Sequence, residues 1–220
     1  MDTENKLSEL MVEAYTHQKN GKLSLAIQSW NELLLINDVD KNLQSNAHLN
    51  LGHLHQQQGN HDLSFESMSR AIRANPNSSE AYFCLAYIEQ EKESFESAIG
   101  FFERALDLNP NDCGAHNNLG NCYDRTGSTD MAINSFTSAI AIDDEYISAI
   151  YNRANLYVKC GKDELALKDF TRSIELDENF YQAYYNRGTL LSRMGKLEQS
   201  EKDMIKAKEL AQQELNNKTH

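Results

Sequence analysis

Four asparagines stand at matched places in the chain: Asn50 in AHLNLG, Asn118 in AHNNLG, Asn152 in AIYNRA and Asn186 in AYYNRG. They are separated by 68, 34 and 34 residues. A carboxamide carries both a hydrogen-bond donor and an acceptor. It can pair with both polar groups of a peptide unit, whatever side chain that unit bears. A regular row of asparagines would therefore hold an extended backbone and leave specificity to its neighbours. Asn121 and Asn155 each lie three residues after a member of the row, one helical turn along. Tyr87, Tyr151 and Tyr185 stand beside it and supply candidate aromatic anchors.

Other chemistries find no matching pattern. The histidines are His17, His48, His53, His55, His61, His116 and His220. His53 and His55 are two apart, which on a helix points them in different directions, and no HExxH or Cys/His metal spacing occurs. GxSxG, P-loop and dinucleotide fingerprints are absent. The acid run Asp143-Asp144-Glu145 falls in a stretch that reads as a solvated turn. The sequence therefore predicts a non-enzyme, with no catalytic residue, cofactor or metal site.

Composition narrows the partners. With 21 Lys and Arg against 33 Asp and Glu, the net charge is −12. Phosphate neutralisation needs a basic stripe, so nucleic acid is not the expected partner, and anionic lipid is disfavoured for the same reason. The longest strongly apolar run, Leu33 to Ile36, is far too short to span a bilayer. MDTENKLSEL has no apolar centre and does not read as a signal peptide. Cys84, Cys113, Cys122 and Cys160 include no CxxC pair and read as free thiols. A cytoplasmic location is the resulting expectation.

What positions the asparagines is a repeat. Gly127, Gly161 and Gly195 are 34 apart, Gly59 lies two steps before Gly127, and Glu93 fills the place between. The two prolines, Pro76 and Pro110, keep the same step, as do Met68, Phe102, Phe136, Phe170 and Met204. In this frame the copies are 45–78, 79–112, 113–146, 147–180 and 181–214, preceded by one at 7–40, with KNLQ at 41–44 as an insertion. Residues 215–220 form a tail, frayed from about 216. Within a copy the apolar spacing is helical: Ala98, Ile99, Phe102, Ala105 and Leu106 keep steps of mostly three and four. A turn at the glycine place divides each copy into two helices, A and B. Gly or Ala at the eighth position (Ala14, Gly52, Ala86, Gly120, Ala154, Gly188) lets A approach B, and the large residue on B fills the space beside it. A lone hairpin cannot bury these faces, whereas stacked copies can.

This pattern resembles the tetratricopeptide repeat family over about residues 7–214, most closely in NLGHLHQQQG, CLAYIEQEKE and NLGNCYDRTG. The resemblance implies an all-α, right-handed superhelical solenoid of about six helix-turn-helix repeats, forming a single domain over 1–220. It further implies a concave groove lined by positions 2, 5, 6, 9, 12 and 13 of each copy. At position 6, Asn50, Asn118, Asn152 and Asn186 match the asparagine ladder of O-GlcNAc transferases and related peptide-binding solenoids, while Val12 and Cys84 break it. The family's lysine and arginine clamp for C-terminal carboxylates is not matched, because positions 2, 5 and 6 carry no Lys or Arg.

Two functions are compatible with this. One is a non-catalytic adaptor holding an extended peptide of a partner protein through Asn50, Asn118, Asn152, Asn186, Asn121, Asn155, Tyr87, Tyr151 and Tyr185. The family consensus itself favours Asn at these places, so the row also fits inheritance without a ligand. The other is a scaffold that forms homo-oligomers through its terminal repeats or convex face. Copies three and four hold 13 acidic against 3 basic residues, whereas Lys159 and Arg193 occupy groove positions further on. A partner segment that is basic over the first region and neutral or acidic over the second would complement this gradient; a solvated acidic surface would give the same composition.

Overall fold

The computed structural model describes residues 3–218, and among them the only regular elements are twelve α-helices. They pair into hairpins in the frame of the repeat: α1 (Thr3–Lys19) with α2 (Leu23–Leu34), α3 (Lys41–Gln57) with α4 (His61–Ala74), and α5 (Ser79–Glu91) with α6 (Phe95–Leu108). The second set is α7 (Cys113–Arg125) with α8 (Thr129–Ile142), α9 (Ile147–Lys159) with α10 (Asp163–Leu176), and α11 (Tyr181–Arg193) with α12 (Leu197–Lys218). Contacts group these into two compact units, Met1–Pro110 and Asn111–His220, divided at a repeat junction. Within each unit, helix B of one hairpin packs on helix A of the next.

The turn between A and B is fixed by backbone chirality. Gly127 has φ +80°, its N–H donates to the Asp124 carbonyl at 3.1 Å, and the Ser128 N–H donates to Tyr123 at 2.8 Å. That is the double bond of a Schellman cap, which requires a left-handed residue. Glu93 occupies the equivalent place with φ 58°: its N–H donates to the Gln90 carbonyl and the Ser94 N–H to Glu89, both at 2.9 Å. An L-residue there bears a cost of about 1–2 kcal/mol that glycine avoids.

Hairpin closure depends on the eighth position. A methyl group on Gly120 would lie 2.7 Å from the Phe136 ring, and one on Gly52 would lie 2.5 Å from the Met68 methyl. The missing side chain is thus occupied by the large residue of helix B. In the second and sixth copies the approach is also bonded: Ser64 donates its hydroxyl to the Gly52 carbonyl at 2.9 Å, and Ser200 to Gly188 at 2.8 Å. Trp30, Phe102, Phe136 and Phe170 are all but fully buried. Each such ring contributes about 1.5–3 kcal/mol from burial alone.

Helix B ends at a short polar residue more consistently than at proline. Asn75, Asp143 and Asp177 follow α4, α8 and α10 in extended or near-extended backbone, and each accepts the N–H two residues on at 2.9–3.0 Å. This Asx turn stops the helix even where Asp144 and Glu178 stand in the proline place. The last copy has Ala211 at the Asx place, and α12 continues to Lys218. The expected fraying from 216 is therefore corrected: Asn216, Asn217 and Lys218 are helical, and residues 219–220 lie outside the described residues. The insertion at 41–44 is likewise no loop. Asp40 caps α3 by accepting the N–H groups of Asn42 and Leu43 at 2.8 and 3.1 Å, so the four residues add a first turn to that helix.

Two buried ion pairs staple consecutive hairpins of the second unit. Arg153 grips Asp169 in its own hairpin with two bonds of 2.8 and 3.0 Å and reaches Thr137 of the preceding hairpin at 3.1 Å. One repeat later Arg187 grips Asp203 at 2.7 and 2.8 Å and reaches Thr171 at 3.2 Å. The forked guanidinium matches the carboxylate and has donors left for the hydroxyl.

Two outcomes follow for thermal or denaturant melting. Gly127→Ala costs about 1 kcal/mol from backbone strain, since nothing lies within 4 Å of the added methyl, while Glu93→Gly is neutral to stabilising by about 1 kcal/mol. Arg187→Ala strands Asp203, whose side chain is 9% exposed, and costs about 3–5 kcal/mol. Arg187→Met/Asp203→Leu together cost clearly less than that single change, because no buried charge is left unpaired.

Candidate functional site

The second unit contains a cleft of about 520 Å³ lined by residues from α7, α9 and α11 with Phe136 and Phe170 behind them. Asn121, Asn152, Asn155 and Asn186 all line it, so four of the nine expected site residues converge on one surface. Its floor is apolar, with Val158 and Leu190 beside the two rings, and its rim holds Asp124, Lys159 and Arg193. Convergence follows from the repeat: positions 6 and 9 lie on one face of helix A, and stacking sets successive faces side by side.

The asparagines are tied to one another across the hairpins. Asn152 donates its Nδ2 to Asn121 at 3.1 Å and to Asn117 at 3.3 Å. Asn186 donates its Nδ2 to Asn155 and to the Tyr151 hydroxyl, both at 2.8 Å. These two position-6 amides thus spend their donors on the preceding hairpin. The Oδ1 atoms of Asn152 and Asn186 accept from no donor among the described residues of this unit, and both side chains belong to the cleft lining. Burial pushes the Tyr151 hydroxyl pKa up, and its hydrogen bonds to Asn155 and Asn186 oppose that shift. At neutral pH Tyr151 is a neutral phenol, kept so by its burial.

The other expected residues are placed differently. Asn118 accepts from Asn117 at 3.4 Å and does not line the cleft. Tyr151 packs on Phe170 and Phe180, with centroids 5.9 and 4.8 Å away, and acts as a wall between hairpins. Tyr185 is 57% exposed on the same helix face as Asn186, outside the lining. In the first unit Asn50 is engaged at both ends of its amide. It donates to the Asn46 carbonyl and side chain at 2.9 and 2.6 Å and accepts from Gln18 at 3.4 Å. Tyr87 is half-buried on α5. The inter-hairpin role of the amides was not anticipated. Its signal is the recurrence of Asn at position 9, as Asn121 and Asn155, one repeat before Asn152 and Asn186.

Charges on the rim are paired. Lys159 lies 2.8 Å from both oxygens of Asp124, and Arg193 bonds to Asp163. In the first unit His53 bonds to Glu80 at 3.0 Å, which holds the Glu80 carboxyl below its usual range. The buried thiols are poor nucleophiles: burial pushes Cys122 up to about 11, and burial followed by the Glu80 charge pushes Cys84 up to about 12. Among the described residues no three His, Cys, Asp or Glu side chains gather as a metal site, and no helix is long and apolar enough to cross a membrane.

Comparison with known proteins agrees with the hairpin frame. Three profiles described as tetratricopeptide repeat match residues 49–112, residues 101–134 and 170–202, and residues 147–180. No curated protein matches the chain. Among solved structures it resembles MamA, with a TM-score of 0.72 at 21% identity over 76% of this chain and 97% of that one. It also resembles YrrB, described as a TPR protein with an unusual peptide-binding site, with a TM-score of 0.72 at 18% identity over 84% and 93%. The pilF protein of Pseudomonas aeruginosa gives a TM-score of 0.68 at 18% identity over 77% of each chain. These likenesses speak for the hairpin-stack fold. The profiles together span residues 49–134 and 147–202, well over half of the sequence, and the chain belongs to the tetratricopeptide repeat family.

Proposed function

We propose that the chain is a non-catalytic adaptor that grips an extended segment of a partner protein in the cleft of the second unit. The observation that carries this reading is the pair of rungs at Asn152 and Asn186. Their donors are locked to the preceding hairpin, so the side chains are pre-oriented, their acceptors take no bond from the protein, and both residues line a cleft that also holds Val158 and Leu190. Preorganised polar groups over an apolar floor are what a backbone-reading site needs. Adjacent A helices lie roughly 10 Å apart, as packed helices do. At about 3.3 Å per residue, three copies would therefore accommodate roughly six residues of extended chain. The peptide-binding site named for YrrB, a structural neighbour, is in keeping with this use of the fold. The free thiols of Cys84, Cys113, Cys122 and Cys160 suit the cytoplasmic location we assign.

Self-association through the terminal repeats is opposed by the chemistry of the end faces. Positions 3, 7 and 10 of helix A are apolar in the second to fourth copies, as in Ala47, Leu51 and Leu54, but Glu9, Glu13 and Thr16 fill them in α1 and are exposed. On helix B, Ile27, Phe65, Ile99, Ile133 and Leu167 share a place that Glu201 fills in α12. Leu34, Ile72, Leu106, Ile140 and Ile174 share another, which Lys208 fills. Burying these charges against a second copy would cost more than the contact returns.

Two measurements test the reading. Affinity capture followed by mapping of the bound segment should recover a partner with wild type and with the outward-facing control Asn134→Ala. Folded Asn152→Ala/Asn186→Ala should retain at least tenfold less of it; equal retention sinks the groove assignment. Sedimentation at rising concentration should give a constant mass near 25.0 kDa for the free chain, and a mass that climbs would revive the scaffold reading.

A further inference from the structure

Position 13 of helix A carries a cation in every hairpin of the second unit: Arg125, Lys159 and Arg193. The same position in the first unit reads Lys19, Gln57 and Glu91. The three cations therefore follow the 34-residue step of the asparagine rungs and form a rail beside them. Lys159 and Arg193 line the cleft itself, with side chains 60% and 49% exposed. They stand in the last turns of α9 and α11, where a positive charge also complements the helix dipole. Asp124 is the one acid on the lining, and its two oxygens are already taken by Lys159. The lining thus carries two cations against one acid, each cation held in an ion pair by an acid of the preceding hairpin, within a chain of net charge −12.

We propose that the segment held by this cleft is acidic, with Asp or Glu side chains spaced about three residues apart so that successive carboxylates meet Lys159 and Arg193. The spacing follows from roughly 10 Å between neighbouring A helices and about 3.1 Å per residue in an extended segment of polyproline-II form, whose three-residue turn brings every third side chain back to the same side. An incoming carboxylate competes with Asp124 for Lys159 and with Asp163 for Arg193, each exchange replacing one ion pair by another. The gain lies in steering and in register: the rail attracts acidic segments and repels basic ones. Lys159 and Arg193 are then the specificity-determining residues, while Asn152 and Asn186 hold the backbone. This assignment rests on the groove reading given above.

The test is a selection from a random octapeptide library displayed on phage, using the full chain as bait and counter-selecting on Asn152→Ala/Asn186→Ala. The expected result is enrichment of Asp and Glu at a three-residue interval. A synthetic consensus peptide should lose about tenfold in affinity toward Lys159→Ala/Arg193→Ala and weaken as salt rises. Peptides that survive counter-selection but show no acidic enrichment, or favour Lys and Arg, overturn the acidic assignment and leave the groove reading standing. If no rung-dependent peptide emerges, both fall. A consensus peptide that binds the Lys159→Ala/Arg193→Ala variant undiminished also overturns the assignment.

Discussion

The whole architecture depends on the close approach of the two helices of each hairpin at the eighth position, where the residue is never larger than alanine. Gly120 meets Phe136 where a methyl group would not fit, and Gly52 meets Met68 in the same way. That approach sets the distance between the helices of a hairpin, and the hairpin sets which face of helix A is left uncovered. A single hairpin still exposes the outer flanks of both helices, so the next copy must cover them. Close packing inside the pair and stacking between pairs therefore come from one sequence period.

Polar bonds then convert a stack held by apolar area into one with a fixed register. Apolar contact alone tolerates small slides, whereas a forked guanidinium on a carboxylate does not. Arg153 and Arg187 each join three elements, and Asn152 and Asn186 tie the uncovered face of one hairpin to the one before. The staples lie at position 7 and the amide bonds at position 6, so neighbouring residues, about 100° apart around the helix, tie it to different partners. The cleft is thus framed by residues whose orientation is settled before any ligand arrives.

Much of this was legible in the sequence because the period repeats the same physical demand. The glycine turns, the all-helical class and the hairpin limits follow from spacing, and even Glu93 keeps the glycine conformation. The helical course of 41–44 was hidden, because an insertion says nothing about which helix absorbs it until the Asp40 cap is seen. The long α12 was hidden too, since the stop signal of the earlier helices is an Asx residue, a commoner and less conspicuous residue than proline. At the site, spacing alone grouped Asn50, Asn118, Asn152 and Asn186 as equals. Hydrogen-bond bookkeeping separates them, because Asn50 is satisfied within its own surroundings while Asn152 and Asn186 keep an acceptor in hand. The Arg-Asp-Thr staples also keep the 34-residue step, but a charged residue at a core position becomes readable only when its partner is located.

The bonds of Asn186 have a consequence for the protein's motions. In a repeat array each copy is stabilised by its neighbours, and the outermost copy opens first, nearly independently of the rest. Asn186 sits on the hairpin at the end of its unit and draws its orientation from Asn155 and Tyr151 on the hairpin before. Opening of that hairpin would dissolve one rung outright and leave Asn155 and Tyr151 without the bonds it gave them. On the proposed groove reading, filling the cleft and closing the last hairpin are two readouts of a single equilibrium, because the same local bonds shape both.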